Sequence, residues 1–315
     1  MDNAAAVISK VLPVILLILL GNILHRTGFI KQSTIEDLKK ITVNIGLPAL
    51  LFLAFAGTAL EVRYLLIFIA VFLVCAIMLF FGGLYKKAAR LQNDYVPALF
   101  SGFETGMMGF SLYVAVFGAE NMFKLAIMDL GQVTFVFFVL VSYLQRKNGQ
   151  TSNVRQLILS FVKSPVILAI ILGSLCGGIG VITAMEQLPV FSSVLEAIRL
   201  LSNLTSPLIC IIIGYELHIS MKALKGPLQA SVVRITILLS IAFVLNKVLI
   251  SGILQLDKSY EIALYTLFLL PPPFVIPIYM RESNGSDRDF VLNSISISIL
   301  LSLAAFLILI LIIQF

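Results

Sequence analysis

Apolar residues fill this chain in long runs separated by short polar stretches, and the runs settle its class before any single residue does. They predict spans at 6–24, 35–57, 63–84, 95–118, 121–143, 157–181, 190–216, 228–252, 259–280 and 289–314, numbered here as spans 1 to 10. Most come close to the ~20 apolar residues that a helix needs to cross a bilayer. The polar stretches are too short to fold alone, so the expectation is an all-α polytopic membrane protein of about ten transmembrane helices. Only Gln145 to Asn153 reads as a linker. It divides the chain into a first unit at 1–145, a basic linker at 146–156 and a second unit at 157–315.

The pattern fails in two places. Span 4 carries Glu104, Thr105, Gly106 and Gly109 at its middle, and span 9 carries Pro271, Pro272 and Pro273. Three consecutive prolines remove three backbone donors and cannot continue a helix. Irregular backbone at membrane depth survives only when buried in protein or lining a wet cavity. Both stretches are therefore expected to be crossovers that line a substrate site. Half-helices starting near Gly109 and Phe274 would aim amide N–H groups inward, as an anion site requires.

The halves also match one another. Asn44-Ile45-Gly46-Leu47-Pro48 on span 2 aligns with Asn203-Leu204-Thr205-Ser206-Pro207 on span 7. At a similar offset Tyr95 to Phe100 aligns with Tyr260 to Tyr265, which sets Gly106-Met107-Met108 opposite the three prolines. An odd number of spans per half, about five, gives the two repeats opposite orientations, the arrangement of carriers that bind near the midplane. Asn44 and Asn203 enter as candidates for lining the cavity, and Pro48 and Pro207 as kinks.

Composition and charge sharpen this. Hydrophobic residues make up 60% of the chain and charged ones 12%, against about 45–50% and about 25% in soluble domains. Fifteen of the 22 lysines and arginines flank odd-numbered loops and four flank even-numbered loops or the amino-terminal end. The odd loops are therefore expected in the cytoplasm, with both termini outside the cell membrane. The net charge of +6 calls for no nucleic acid. The first apolar run lacks a small-residue cleavage site and is expected to stay as a helix. Cys75, Cys176 and Cys210 lie inside apolar runs without metal-ligand spacing and read as small core residues.

Near the middle of their spans, Glu104 and Asp129 are the acids that stand out. A charge at the bilayer centre costs roughly 2.5 to 3.5 kcal/mol on insertion scales, so both are ion-coupling candidates, Glu104 as a proton-exchanging group. The other reading pairs Glu104 structurally with an amide or with Arg199, Arg234 or Lys247. Asn293, Ser294, Ser296, Ser298 and Ser302 on span 10 suit close helix packing, as do Gly173 and Gly177 on span 6. His25 and His218 read as interfacial residues. No catalytic motif and no phosphate loop appears, so no enzyme activity and no cofactor is expected.

Several of these pieces resemble the auxin efflux carrier family, in particular its short bacterial malate or malonate permease-like members. They are Gly21-Asn22-Ile23-Leu24, Gly28-Phe29-Ile30, Asn44 to Phe52, Gly106-Met107-Met108-Gly109, Phe117-Gly118, Ile213-Gly214, Pro271 to Pro273 and the serine-rich span 10. The resemblance implies two inverted five-helix repeats, interrupted crossover helices 4 and 9, and transport of organic anions bound near those crossovers. Where that family usually has Asn-x-Gly-x-x-Gly-x-Pro, this chain has Glu104-Thr105-Gly106-Met107-Met108-Gly109-Phe110-Ser111. An ionised Glu104 repels a carboxylate, so either it is protonated when substrate binds or the substrate is not a simple dicarboxylate. The expectation is a secondary carrier of small organic anions, with a small-molecule substrate, the lipid bilayer and a second copy in a homodimer as partners. The alternatives are a sodium-coupled or cation-carrying protein using Glu104 and Asp129, and a transporter-like membrane sensor.

Overall fold

Every backbone polar group that meets lipid must find its partner within its own segment, and helices meet that demand locally. The computed structural model describes residues 2–58, 61–147, 149, 153–178, 182, 188–217, 224–280 and 285–314. Among them the regular structure is helical throughout. His218, Lys222, Arg281, residues 179–181 of span 6 and residues 148 and 150–152 of the linker lie outside the described residues.

Among the described residues, seven helices are long and apolar enough to cross a membrane, or eight with a bent pair counted as one. That is fewer than the ten runs, and at spans 6 and 9 the difference has a local cause. Span 6 is the bent pair, Arg155–Val162 and Pro165–Gly178, turning by 57° at the Ser164-Pro165 step. Span 9 is split into Lys258–Leu269 and Val275–Ile278 by its prolines, and neither piece is long enough alone. Span 1 is the helix Asp2–Thr27, and the stretch of it whose side chains are described, Leu12–Thr27, is apolar. The linker is also shorter than its composition suggests. Ala119–Lys147 of span 5 runs into it, and Val154–Val162 begins inside it, with Asn153 Oδ1 accepting from Arg155 N at 3.0 Å as its cap.

Spans 1, 2, 6 and 7 pack into one panel, and spans 3, 4, 5, 8, 9 and 10 form the body beside it. Within the panel, span 1 lies along span 7 and span 6 along span 2, so each contact has its counterpart in the other half. Gly214 allows the first of these. A β-carbon there would stand 2.9 Å from Ile18 Cα, closer than side chains tolerate, and such small residues are how membrane helices approach. Gly173 and Gly177 do the same for span 6 against Phe52 and Phe55.

In the body, span 4 is innermost: 72% of its central window is buried, against 33% for span 3. The serines of span 10 stitch neighbours together, as expected of small hydroxyl residues. Ser298 Oγ meets Ser231 Oγ of span 8 at 3.0 Å, and Ser302 Oγ donates to Leu269 O of span 9 at 2.5 Å. Ahead of span 4, the Lys86 ammonium pairs with Asp94 and holds that carboxyl below the usual carboxylate range. This tether is present above the ordinary carboxylate pKa and lost as pH falls through the lowered one.

Candidate functional site

Both interrupted spans break at the residues that lack helix-forming character. Span 4 runs as Val96–Phe100, turns extended at Ser101 (ψ 148°) and passes through Gly102 at φ +70°. That left-handed backbone suits glycine because a β-carbon would collide with the carbonyl. The chain resumes as a widened π turn, Thr105–Gly109, and continues as Phe110–Phe117. Span 9 stops at Leu270 (ψ 152°), crosses the prolines and restarts at Phe274. The breaks cross and bond to one another: Glu104 N donates to Pro271 O at 2.9 Å. Phe103 stacks on Phe268 beside the crossing, ring centroids 5.2 Å apart.

Four helix ends meet at this crossing, and the chain supplies a charge for each pair. The two trailing halves begin with amides that lack intrahelical acceptors. Glu104 answers both. Its Oε1 accepts from Met107 N at 3.1 Å and its Oε2 from Phe274 N at 2.6 Å, so one carboxylate caps the resumed helix of its own span and that of span 9. The two leading halves end in carbonyls. Arg234 of span 8 donates from Nη1 to Leu270 O and from Nη2 to Gly102 O, each at 2.8 Å. Its guanidinium also lies 5.5 Å from the centre of the Phe103 ring. Glu104 therefore takes amides as partners, whereas the sequence had offered an amide or one of three cations. Arg199 and Lys247 are exposed, far from that role.

A cavity of about 750 Å³ ends on the crossing. Its deep wall holds Glu104, Gly106, Pro273 and Phe274, with Asp129 and Gln132 of span 5 beside them. Asp129 is buried and accepts from Gln132 Nε2 at 3.0 Å. The remaining lining includes Gln32, Tyr215, Glu216 and Ile278, all at span ends next to odd-numbered loops, so the cavity opens on that side. Lys39 pairs with Glu216 in the wall, and His25 stands edge-on to Tyr215, centroids 4.7 Å apart. At the even-loop end the body is closed. Tyr64 Oη and Tyr260 Oη are 2.9 Å apart, and Lys124 Nζ donates to Ser259 Oγ at 2.5 Å.

The structure thus gathers Glu104, Thr105, Gly106, Gly109, Asp129 and the three prolines around one crossing. Thr105 is buried there and Gly109 packs against Thr105 and Leu270. Asn44 and Asn203 stand elsewhere. Both are exposed and outside the cavity lining, and Asn44 Nδ2 donates back to Lys40 O at 2.8 Å. Contact within their motif comes from Gly46 and Thr205, which occupy matching positions and touch each other. Pro48 sits inside the continuous helix Gln32–Ala56, just after the π turn Thr42–Gly46, whose wider bonding pattern accommodates the missing amide. Sequence reasoning missed Lys39 and Glu216 in the wall, and His25, read as an interfacial residue at a span end, also lines the cavity. Their one sequence signal was position at the odd-loop ends.

Two interrupted spans crossing at the blind end of a cavity, inside a bundle of apolar helices, define a multi-pass membrane transporter. The chain belongs to the membrane transport protein family, whose model matches residues 6–310. It is 27% identical over 278 residues to a protein named as an uncharacterized transporter of Methanocaldococcus jannaschii, covering 82% of this chain and 87% of that one. A second, of Methanothermobacter thermautotrophicus and also named an uncharacterized transporter, is 23% identical over 305 residues, 94% of each chain.

Proposed function

We propose that this transporter is a secondary carrier of small organic anions that exchanges a proton at Glu104. The observation that carries the reading is the double hold on that carboxylate, by Met107 N and Phe274 N, at the blind end of the cavity. Inward-facing amides at the starts of interrupted helices are a seat for an oxyanion, and here the resident oxyanion is the protein's own. Protonation of Glu104 weakens its claim on both amides, and a substrate carboxylate then takes them. One proton is bound for each anion seated, which also removes the repulsion that an ionised Glu104 would exert. The charged groups facing this exchange are Asp129 from span 5 and the Lys39–Glu216 pair in the wall. Proteoliposome uptake of labelled mono- and dicarboxylates under an imposed pH gradient tests the reading. Carboxylate uptake indifferent to that gradient would overturn it.

A cationic substrate is the second reading, because Glu104 and Asp129 both face the cavity while Lys39 is already paired. A thermal-shift screen of amines beside carboxylates on the purified protein separates the two.

The cavity's opening at the odd-loop ends, with the tyrosine contact at the other, supports a cytoplasm-facing state of an alternating-access cycle. Ser164 lines the cavity and Ser259 lies at the closed end. A cysteine at Ser164→Cys is expected to react with an impermeant maleimide added on the cytoplasmic side, and one at Ser259→Cys only from outside. Labelling of Ser164→Cys from outside alone would reverse the assigned orientation.

A further inference from the structure

Carbonyl ends of interrupted helices turned inward at depth call for a cation. They carry the negative end of the peptide dipoles, and in carriers built this way such ends coordinate the coupling ion. Here Leu270 O caps the leading half of span 9 and Gly102 O stands two residues past the leading half of span 4, and both accept from Arg234, which reaches them from span 8, neither of the broken ones. The residue is 3% exposed. Its charge is met by two carbonyls and the Phe103 face rather than by a carboxylate. Arginine suits this task because its planar fork presents two donors at a set separation, one for each strand of the crossing.

We infer that Arg234 is a built-in cation: it fills the seat that a coupling metal ion would take between the two carbonyl ends, so the carrier holds its crossover together and works without sodium. A cation tethered to span 8 cannot leave with the substrate, so this end of the crossing is locked. Exchange with solution is left to the Glu104 end, where the two breaks are joined by Glu104 N donating to Pro271 O at 2.9 Å. Arg234 is in this sense a positioning residue that also decides which ion the carrier can use.

Thermal unfolding of the purified full chain, in sodium, lithium, potassium or choline chloride at equal ionic strength, tests the seat. Uptake into proteoliposomes in the same salts tests its consequence. The wild-type protein is expected to show one Tm and one uptake rate in all four. Arg234→Ala is expected to unfold earlier in choline and to recover several degrees in sodium or lithium, because the bared carbonyls then accept a small metal ion. Arg234→Lys, which keeps a tethered charge, is expected to stay indifferent to the salt. Arg234→Gln replaces the alanine variant in the same comparison should that fail to fold. Sodium dependence of the wild-type protein overturns the inference, as does a charge-free variant whose Tm is the same in every salt. Only the uptake arm rests on the carrier reading. Absence of carboxylate uptake together with the expected Tm pattern would count against that reading and leave the seat standing.

Discussion

Glu104→Gln protein is expected to lose accumulation of its anion in response to a pH gradient while still exchanging labelled for unlabelled substrate. A glutamine has one acceptor oxygen, and its amide nitrogen would point a donor at another donor. Of Met107 N and Phe274 N, only one keeps a well-placed partner. The buried donor left without one costs about 1–3 kcal/mol, so the variant should also unfold earlier than wild type. The transport effect is larger and carries the argument. With one proton bound per anion, each pH unit of gradient sustains up to about a tenfold accumulation. Removing the titrating group takes that factor to one, whatever the remaining exchange rate. The measurement is steady-state uptake of a labelled carboxylate at several imposed gradients, with counterflow as the control for folded, competent protein. Gradient-driven accumulation that persists in Glu104→Gln would remove Glu104 from coupling, leaving Asp129 as the other acid that faces the cavity.

The places where the sequence broke its own pattern are the places that the fold brings together. Glu104, the glycines after it and the three prolines stood out because a membrane helix has no use for them, and the structure brings them to one crossing. What lay beyond reach was the assignment of partners. Nothing in spacing says that one carboxylate would cap two helices from different halves of the chain, since that depends on the chain folding back to join Glu104 and Phe274, 170 positions apart. Arg234 posed the same difficulty. It read as one of three cations that might pair with Glu104, and it serves the opposite helix ends. The asparagines show the converse. Asn44 and Asn203 are repeated in matching motifs, yet the repeat serves the contact of Gly46 with Thr205 and leaves both amides on the surface. Repetition marked a helix contact there and not the cavity wall.

Packing between the halves gives the second large effect. Gly214→Ala is expected to destabilise the protein strongly, whereas Gly83→Ala is expected to leave it unchanged or slightly more stable. The two exchanges add the same methyl group to a helix in an apolar segment, and they differ only in what the methyl meets. At Gly83 nothing lies within 4 Å of the new carbon, and replacing glycine inside a helix recovers about 0.5–1 kcal/mol of backbone entropy. At Gly214 the carbon would stand 2.6 Å from the carbonyl carbon and 2.9 Å from the Cα of Ile18. Those are backbone atoms, which cannot swing aside as a side-chain tip does. Span 1 must therefore move off span 7, and an overpacked interior commonly costs about 1–3 kcal/mol, with the upper end expected where backbone is the obstacle. The contact is one of the three that hold the panel, beside those of span 6 and span 7 with span 2, so its loss should appear as a lower Tm and a poorer yield of monodisperse protein in detergent. Equal melting of the two variants would show that spans 1 and 7 do not approach as closely as Gly214 and Ile18 require, and the panel would then need another means of cohesion.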